Sequence, residues 1–334
     1  MRAKWLGVIL SALTLTACGQ STSGSTPANS PAKGPPITIA MVTHGQAFDP
    51  FWSLVQKGAK QAAADFNVTL KYESPKTTNP QQQASMIRQA AAAKPRALIA
   101  TIPQATVLSN PIRQVSLSGI PVVIVNVGAS VYKQVGAIAF VGQPELVAGA
   151  EAGNEMAAAG VRRALCVITE EKNTALTDRC AGFSKQMTSR GGSVQVLHVN
   201  GSKLHDSQSA IESALKQNAS INGVLTTTII GFSAAGGALK SMAAFGKIKL
   251  GTFDPSTTGL TAVQNGQALF IIDQQPFLEG YDAVQVAAFQ VRYGQHPFGP
   301  IYTGPSLITK TNAAQIAQLY KNTGIALFKG GYPQ

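Results

Sequence analysis

Five short segments concentrate the side chains able to do chemistry. They are Thr43 to Trp52, with His44, Asp49, Phe51 and Trp52; Asn126; Thr177 to Phe183, with Arg179; Phe253 to Ser256, with Asp254; and Ile272 to Pro276, with Asp273 and Gln274. Carboxylates, amides and a guanidinium exchange hydrogen bonds, and charge-assisted ones contribute about 1.5–3 kcal/mol each. Flat rings cover apolar faces. Together they suit capture of a ligand that carries both kinds of surface. The competing use is catalysis, with Asp49 and Asp254 as a carboxylate pair. Against it, the chain lacks Gly-x-Ser-x-Gly, a Walker A sequence, Gly-x-Gly-x-x-Gly after its first strand, and His-Glu-x-x-His. The histidines show no ligand spacing with one another or with the cysteines, so neither metal nor cofactor is expected.

Positioning these groups requires strands that end at them. Apolar, β-branched runs recur at Ile37–Val42, Ala97–Ile102, Pro121–Val125, Ala164–Ile168, Val194–Val199, Gly223–Thr227, Ile248–Phe253 and Leu269–Ile272. Helical stretches fall between them at Phe51–Asp65, Pro80–Ala93, Leu146–Ala159, Ser207–Ala219 and Gly231–Phe245. Asp49-Pro50, Asn79-Pro80, Gln143-Pro144, Asp254-Pro255 and Gln275-Pro276 put proline at or near helix starts. Strand alternating with helix predicts parallel sheets covered on both faces, whose ligands lie at the carboxyl ends of the strands. From Ile37 onward there are about 300 residues, more than one core usually serves, so two domains are expected. No period of 20–50 residues recurs, which excludes a solenoid.

The first residues carry a different message. Arg2 and Lys4 precede an apolar run, Trp5 to Leu15, and then Leu15-Thr16-Ala17-Cys18. This is the pattern of a secretory signal peptide, 1–17, too short to span a bilayer. The tetrapeptide resembles a bacterial lipobox, which implies lipidation of Cys18; an ordinary signal peptide is the alternative. Residues 18–36 are rich in Ser, Thr, Gly and Pro and read as a flexible linker. The domain is therefore expected outside the cytoplasm, in the periplasm or at the cell surface, tethered to the membrane. The net charge of +12 includes Arg2 and Lys4, and the remaining basic residues are scattered, so nucleic acid is not an expected partner. In an oxidising compartment Cys166 and Cys180 form an even pair, read as a disulfide, with two separate buried thiols as the alternative.

Four of the segments, in order, resemble elements of periplasmic binding proteins of type I topology. Asp49-Pro50-Phe51-Trp52 is similar to that family's Asn-Pro-Phe-Phe, and Arg179-Cys180-Ala181-Gly182-Phe183 to its Arg-x-x-Gly-Phe. Phe253-Asp254 is similar to Gly-Phe-Asp. Asp273-Gln274-Gln275-Pro276-Phe277-Leu278-Glu279-Gly280-Tyr281 resembles the Asp-Gln-Gln-Pro-Tyr-x-x-Gly-Tyr of some sugar and polyol receptors. The resemblance spans residues 37–310, to the branch that binds ribose, galactose and related sugars for ABC importers. It implies an α/β fold of two lobes, each a parallel sheet sandwiched by helices, joined by a three-crossing hinge. Lobe one would be 37–141 plus 276–303, and lobe two 142–275 plus 304–334.

The implied function is delivery of a sugar or polyol to an ABC permease and its ATPase by a monomer, without catalysis. Presentation of a sugar or an autoinducer-2-like signal to a membrane receptor is the alternative. The implied ligand contacts are His44, Asp49, Phe51, Trp52, Asn126, Arg179, Thr228, Asp254 and Gln274. Each has a plainer reading as well. Phe51 and Trp52 could be core rings, Asp49 and Asp254 helix caps, Arg179 a surface charge and His44 a bystander. The chain also departs from the pattern. Asn126-Val127 stands where pentose receptors have Asp-Arg, and Thr226-Thr227-Thr228 where ribose receptors have Asn. A third aromatic wall has no counterpart near Lys203-Leu204-His205.

Overall fold

The strands that end at the candidate residues lie in two sheets. The computed structural model describes residues 34–45, 49–323 and 327. The expected leader, Cys18 and most of the expected linker lie outside the described residues. The first sheet holds β1 (Ile37–Val42), β2 (Val68–Glu73), β3 (Ala97–Ala100), β4 (Val122–Val125), β5 (Ala139–Gly142) and β11 (Ile301–Tyr302). Its order is β11-β5-β4-β3-β1-β2. The second holds β6 (Arg163–Ile168), β7 (Ser193–His198), β8 (Gly223–Thr226), β9 (Lys249–Phe253), β10 (Phe270–Asp273) and β12 (Ser306–Thr309). It repeats the same arrangement as β12-β10-β9-β8-β6-β7. The inner strands β3, β4, β8 and β10 are buried along their whole length, whereas β2 at its edge alternates between partly buried and exposed residues. That is the pattern of sheets covered on both faces.

Helices α1 (Pro50–Asp65), α2 (Pro80–Ala92) and α3 (Ala105–Leu117) serve the first sheet. Helices α5 (Thr174–Ser189), α6 (Leu204–Gln217), α7 (Ile229–Ser241), α8 (Thr257–Gln264) and α10 (Ala313–Asn322) serve the second. Two helices cross over. Strand β5 leads into α4 (Glu145–Ala158), which packs on α5, and β10 leads into α9 (Pro276–Tyr293), which packs on α1. The third crossing runs directly from β11 to β12.

Both crossover contacts are closed by glycine. A Cβ on Gly58 would strike the Phe277 carbonyl, and one on Gly280 the Val55 carbonyl, across α1 and α9. Gly149 and Gly182 meet the carbonyls of Arg179 and Leu146 in the same way across α4 and α5. Backbone against backbone leaves no side chain to yield, so the helices approach as closely as they can. The disulfide Cys166–Cys180 then ties α5 to β6.

Two expectations need correction. The sheets are not wholly parallel, because β12 pairs antiparallel with β10, Asp273 opposite Ser306. No helix separates β11 from β12, so the chain enters the second sheet at the end where β10 finishes and runs back along it. The segment Thr177 to Phe183 is also no loop but the middle of α5. Leu176, Cys180, Phe183 and Met187 recur at helical spacing and are buried, and the Asn173 side chain caps the helix by accepting from Ala175 N. Strands β2, β5, β11 and β12 and helices α3 and α10 were not anticipated, whereas α8 and α9 begin at or just after the prolines Pro255 and Pro276 read as helix starts.

Gly182→Val should force α4 and α5 apart and lower stability by about 1–3 kcal/mol, the usual effect of overpacking. Urea unfolding checks this, and an unchanged midpoint would show that the helix pair tolerates a wider spacing.

Candidate functional site

The carboxyl ends of the strands from both sheets converge on one cavity. All nine residues expected there line it. His44 and Asp49 follow β1, and Phe51 and Trp52 open α1. Asn126 follows β4 and Asp254 follows β9, the corresponding strands of the two sheets. Both adopt the left-handed backbone, φ 65° and 68°, which non-glycine residues rarely do. Such conformations cost of order 1–3 kcal/mol and persist where surrounding contacts impose them. Thr228 caps α7, accepting from Gly231 N, and Gln274 lies just past β10.

At the centre sits Arg179, 2% exposed. Its Nε donates to Glu145 Oε2 at 2.7 Å and its Nη2 to Glu145 Oε1 at 2.8 Å. Nη2 also donates to Gln274 Oε1 at 2.9 Å, and Nη1 to the Thr227 carbonyl at 2.7 Å. The Phe253 ring lies 4.5 Å from the guanidinium carbon. Four of its five N–H groups are therefore committed to protein. The fifth, on Nη1, faces Asp254 Oδ2 at 3.9 Å, too long for a hydrogen bond. The carboxylate that pairs with Arg179 is Glu145, not Asp254. Burial pulls the Arg179 pKa down, but Glu145 outweighs it and holds the guanidinium firmly charged.

Gln274 joins the lobes' polar groups. Its Oε1 accepts from Arg179 and from Asn126 Nδ2 at 3.0 Å, and its Nε2 donates to Asp254 Oδ1 at 2.7 Å. Asn126 also donates to Glu279 Oε2 at 3.1 Å. Glu279 is fully buried, and desolvation raises its pKa well above the ordinary value despite that bond.

The aromatic wall is Phe51 and Trp52, edge to face with ring centres 5.1 Å apart. Both also belong to the first lobe's core, as the plainer reading had it, and both line the cavity. His44 stands edge-on to Trp52 at 4.8 Å. Thr101 Oγ1 accepts from His44 N at 3.0 Å and from Gln83 Nε2 at 2.9 Å and lies 2.9 Å from His44 Nδ1, while Asn173 Nδ2 lies 3.3 Å from His44 Nε2. Burial lowers the histidine's pKa, against the pull of Glu170, and keeps it neutral. Its Nε2 lies 3.7 Å from Glu170 Oε2, and Asn173 Nδ2 donates to that oxygen at 2.9 Å. With Thr174 N donating to the Pro103 carbonyl at 3.2 Å, these contacts close the two halves together. The cavity left is about 30 Å³, room for water and not for a ring-sized ligand.

Asp49 does cap α1, accepting from Phe51 N at 3.0 Å, and it faces the cavity too. Asp254 caps nothing; Ser256 caps α8. Desolvation, opposed by Arg179, pushes Asp254 up to about 7. Desolvation first, then Glu170, pushes Asp49 up to about 7 as well. Residues not anticipated include Glu145, Glu170, Asn173 and Glu279. Glu145 and Glu279 each lie on the opening turn of a crossover helix after proline, and that shared placement was visible in the chain. Among the described residues no group of His, Cys, Asp and Glu is placed to hold a metal, and no helix is long and apolar enough to cross a membrane.

Two α/β lobes that meet over a polar, aromatic-walled cavity define a ligand-trapping protein. The chain matches the periplasmic binding protein domain over residues 39–295. It belongs to that family of extracytoplasmic proteins, in its type I, sugar-binding branch. A carbohydrate transporter protein from Acidothermus cellulolyticus, solved with myo-inositol, is 35% identical, with 86% of this chain and 98% of that one covered and a TM-score of 0.80. An ABC sugar transporter's periplasmic protein from Legionella pneumophila is 24% identical, with 80% and 99% covered and a TM-score of 0.75. A solute-binding protein from Burkholderia graminis, solved with D-arabinose, is 22% identical over 83% and 96%, with a TM-score of 0.75. No curated protein matches the chain significantly. These similar structures are of solute-binding proteins and not of enzymes.

Glu145→Ala should strand the Arg179 charge in the interior and lower stability by about 3–5 kcal/mol in urea unfolding. Replacing both residues by methionine should recover most of that loss. Equal losses in the single and double variants would mean that the pair does not act as one unit.

The carboxylates set a pH dependence. Asp49 and Asp254 hold protons in the folded state that the unfolded chain has already released. Their contribution is full below the unfolded value near ~4 and is lost as pH rises through about 7. The empty domain should therefore melt lower at pH 8 than at pH 6, and the Asp49→Asn, Asp254→Asn double variant should show a smaller fall. Parallel melting curves for the two proteins would refute this assignment.

Proposed function

We infer that the protein captures a sugar or polyol between its lobes and hands it, chemically unchanged, to an ABC permease. The observation that carries this reading is the gap between Arg179 Nη1 and Asp254 Oδ2, 3.9 Å across, in the cavity that Trp52 also lines. A hydroxyl donates and accepts at once, so it can bond both sides of that gap, while the C–H face of the same ring lies on the aromatic wall. A cyclitol or pyranose offers several such hydroxyls to Asp49, Asn126, Thr228, Gln274 and His44. The related protein that holds myo-inositol supports the same ligand class.

Lobe one is taken as 37–141 plus 276–303 and lobe two as 142–275 plus 304–334. The lobes part to admit ligand, because the closed cavity has no room for a ring, and ligand touching both lobes favours the closed form. Partners are then the permease with its ATPase, and the membrane through lipid on Cys18, with a linker that reaches on the order of 20–25 Å. The protein acts as a monomer.

Isothermal titration of the domain against pentoses, hexoses, inositols and alditols tests the reading. At least one should bind, be recovered intact by mass spectrometry, and lose about one to two decades of affinity in Trp52→Ala, or about 1–3 kcal/mol. Binding of none of these compounds, or recovery of a cleaved or isomerised product, would overturn it.

A further inference from the structure

Outside the closed cavity lies a second chamber of about 600 Å³, within the ~300–1,000 Å³ common for ligand sites. Asp49, Glu170 and Thr228 line both spaces, so the chamber adjoins the inner site. Thr77, Gln81 and Gln104 face it from one lobe, and Thr169, Asn200 and Ser202 from the other. Its described wall holds no Phe, Tyr or Trp, and its charges, Glu171 and Lys172 beside the shared carboxylates, come from one turn. The Gln104 side chain precedes α3 without capping it, so its amide is not used by the helix. The contacts that shut the lobes, Thr174 to Pro103 and Asn173 with His44, leave this space intact.

We propose that the chamber is a second subsite, and that the ligand is a glycoside whose terminal ring enters the inner cavity while its next sugar lies in the chamber. Hydroxyls and amides on both walls match a ring of hydroxyls, each able to donate or accept. The outer unit would occupy space outside the inner cavity, so the lobes close on the terminal ring alone. The inference rests on the sugar or polyol reading of the inner site and names the larger class of ligand which that site would serve.

The test pairs single rings with their glycosides: myo-inositol with galactosyl-myo-inositol, and D-galactose with galactobiose, titrated against the domain. In at least one pair the glycoside should bind tenfold or more tightly than its single ring. Gln81→Ala with Gln104→Ala should remove most of that advantage and leave affinity for the single ring unchanged. Single rings that bind while both glycosides bind more weakly or not at all would overturn the second subsite and leave the inner site's reading standing. So would a double variant that weakens ring and glycoside equally. If none of the four compounds and none of the wider sugar panel binds, both readings fall.

Discussion

A guanidinium with almost no access to water has to find its partners in the protein, and the placement of Arg179 organises everything around it. Glu145 meets it with two parallel bonds, the geometry in which a planar fork and a carboxylate fit best. Thr227 and Gln274 take two more N–H groups. Breaking any part would leave a charge in a medium where it is poorly solvated, so each partner is constrained by the others. Glu145 comes from the helix that follows the first lobe's last inner strand, and Gln274 from the corresponding passage out of the second. The hinge passages therefore contribute directly to the floor of the site.

The two lobes are built alike, and the likeness extends to their chemistry. Asn126 and Asp254 end equivalent strands in the same left-handed conformation, and Gln274 bonds both. Gly58 with Gly280 and Gly149 with Gly182 close equivalent helix pairs. The asymmetry lies in what each lobe offers the cavity. Phe51, Trp52 and a neutral His44 come from one side, whereas Arg179 and Asp254 come from the other. A ligand with an apolar face and a polar rim would be read by different lobes on its different surfaces, and closure is what lets both readings occur together.

Closing the site also gathers acidic groups. Asp49 and Asp254 rise to about 7 because the shut lobes remove their water, with Glu170 adding to the effect on Asp49 and Arg179 limiting it on Asp254. Ligand hydroxyls would supply hydrogen bonds to the same oxygens, favouring the ionised form inside a closed site.

Much of this was legible in the chain. Alternation of β-branched runs with helical stretches marked most inner strands to within a residue or two, because buried parallel strands leave an uninterrupted apolar signature. The residues at their carboxyl ends were legible for the same reason, since topology sends those ends to one place. Edge strands such as β2 and β7 carry less of that signature; β2 was missed. Helix α5 was overlooked although Leu176, Cys180, Phe183 and Met187 repeat at helical spacing, because its polar residues drew the reading toward a loop. What the sequence by itself determined was the architecture and the set of groups that meet. Which of them bond one another was decided only by tertiary structure. Glu145 and Arg179 are far apart in the chain, and nothing local says that a carboxylate after one strand must neutralise a guanidinium after another. That pairing exists because Gly149 and Gly182 let two helices touch, and because burial leaves a charge no other partner.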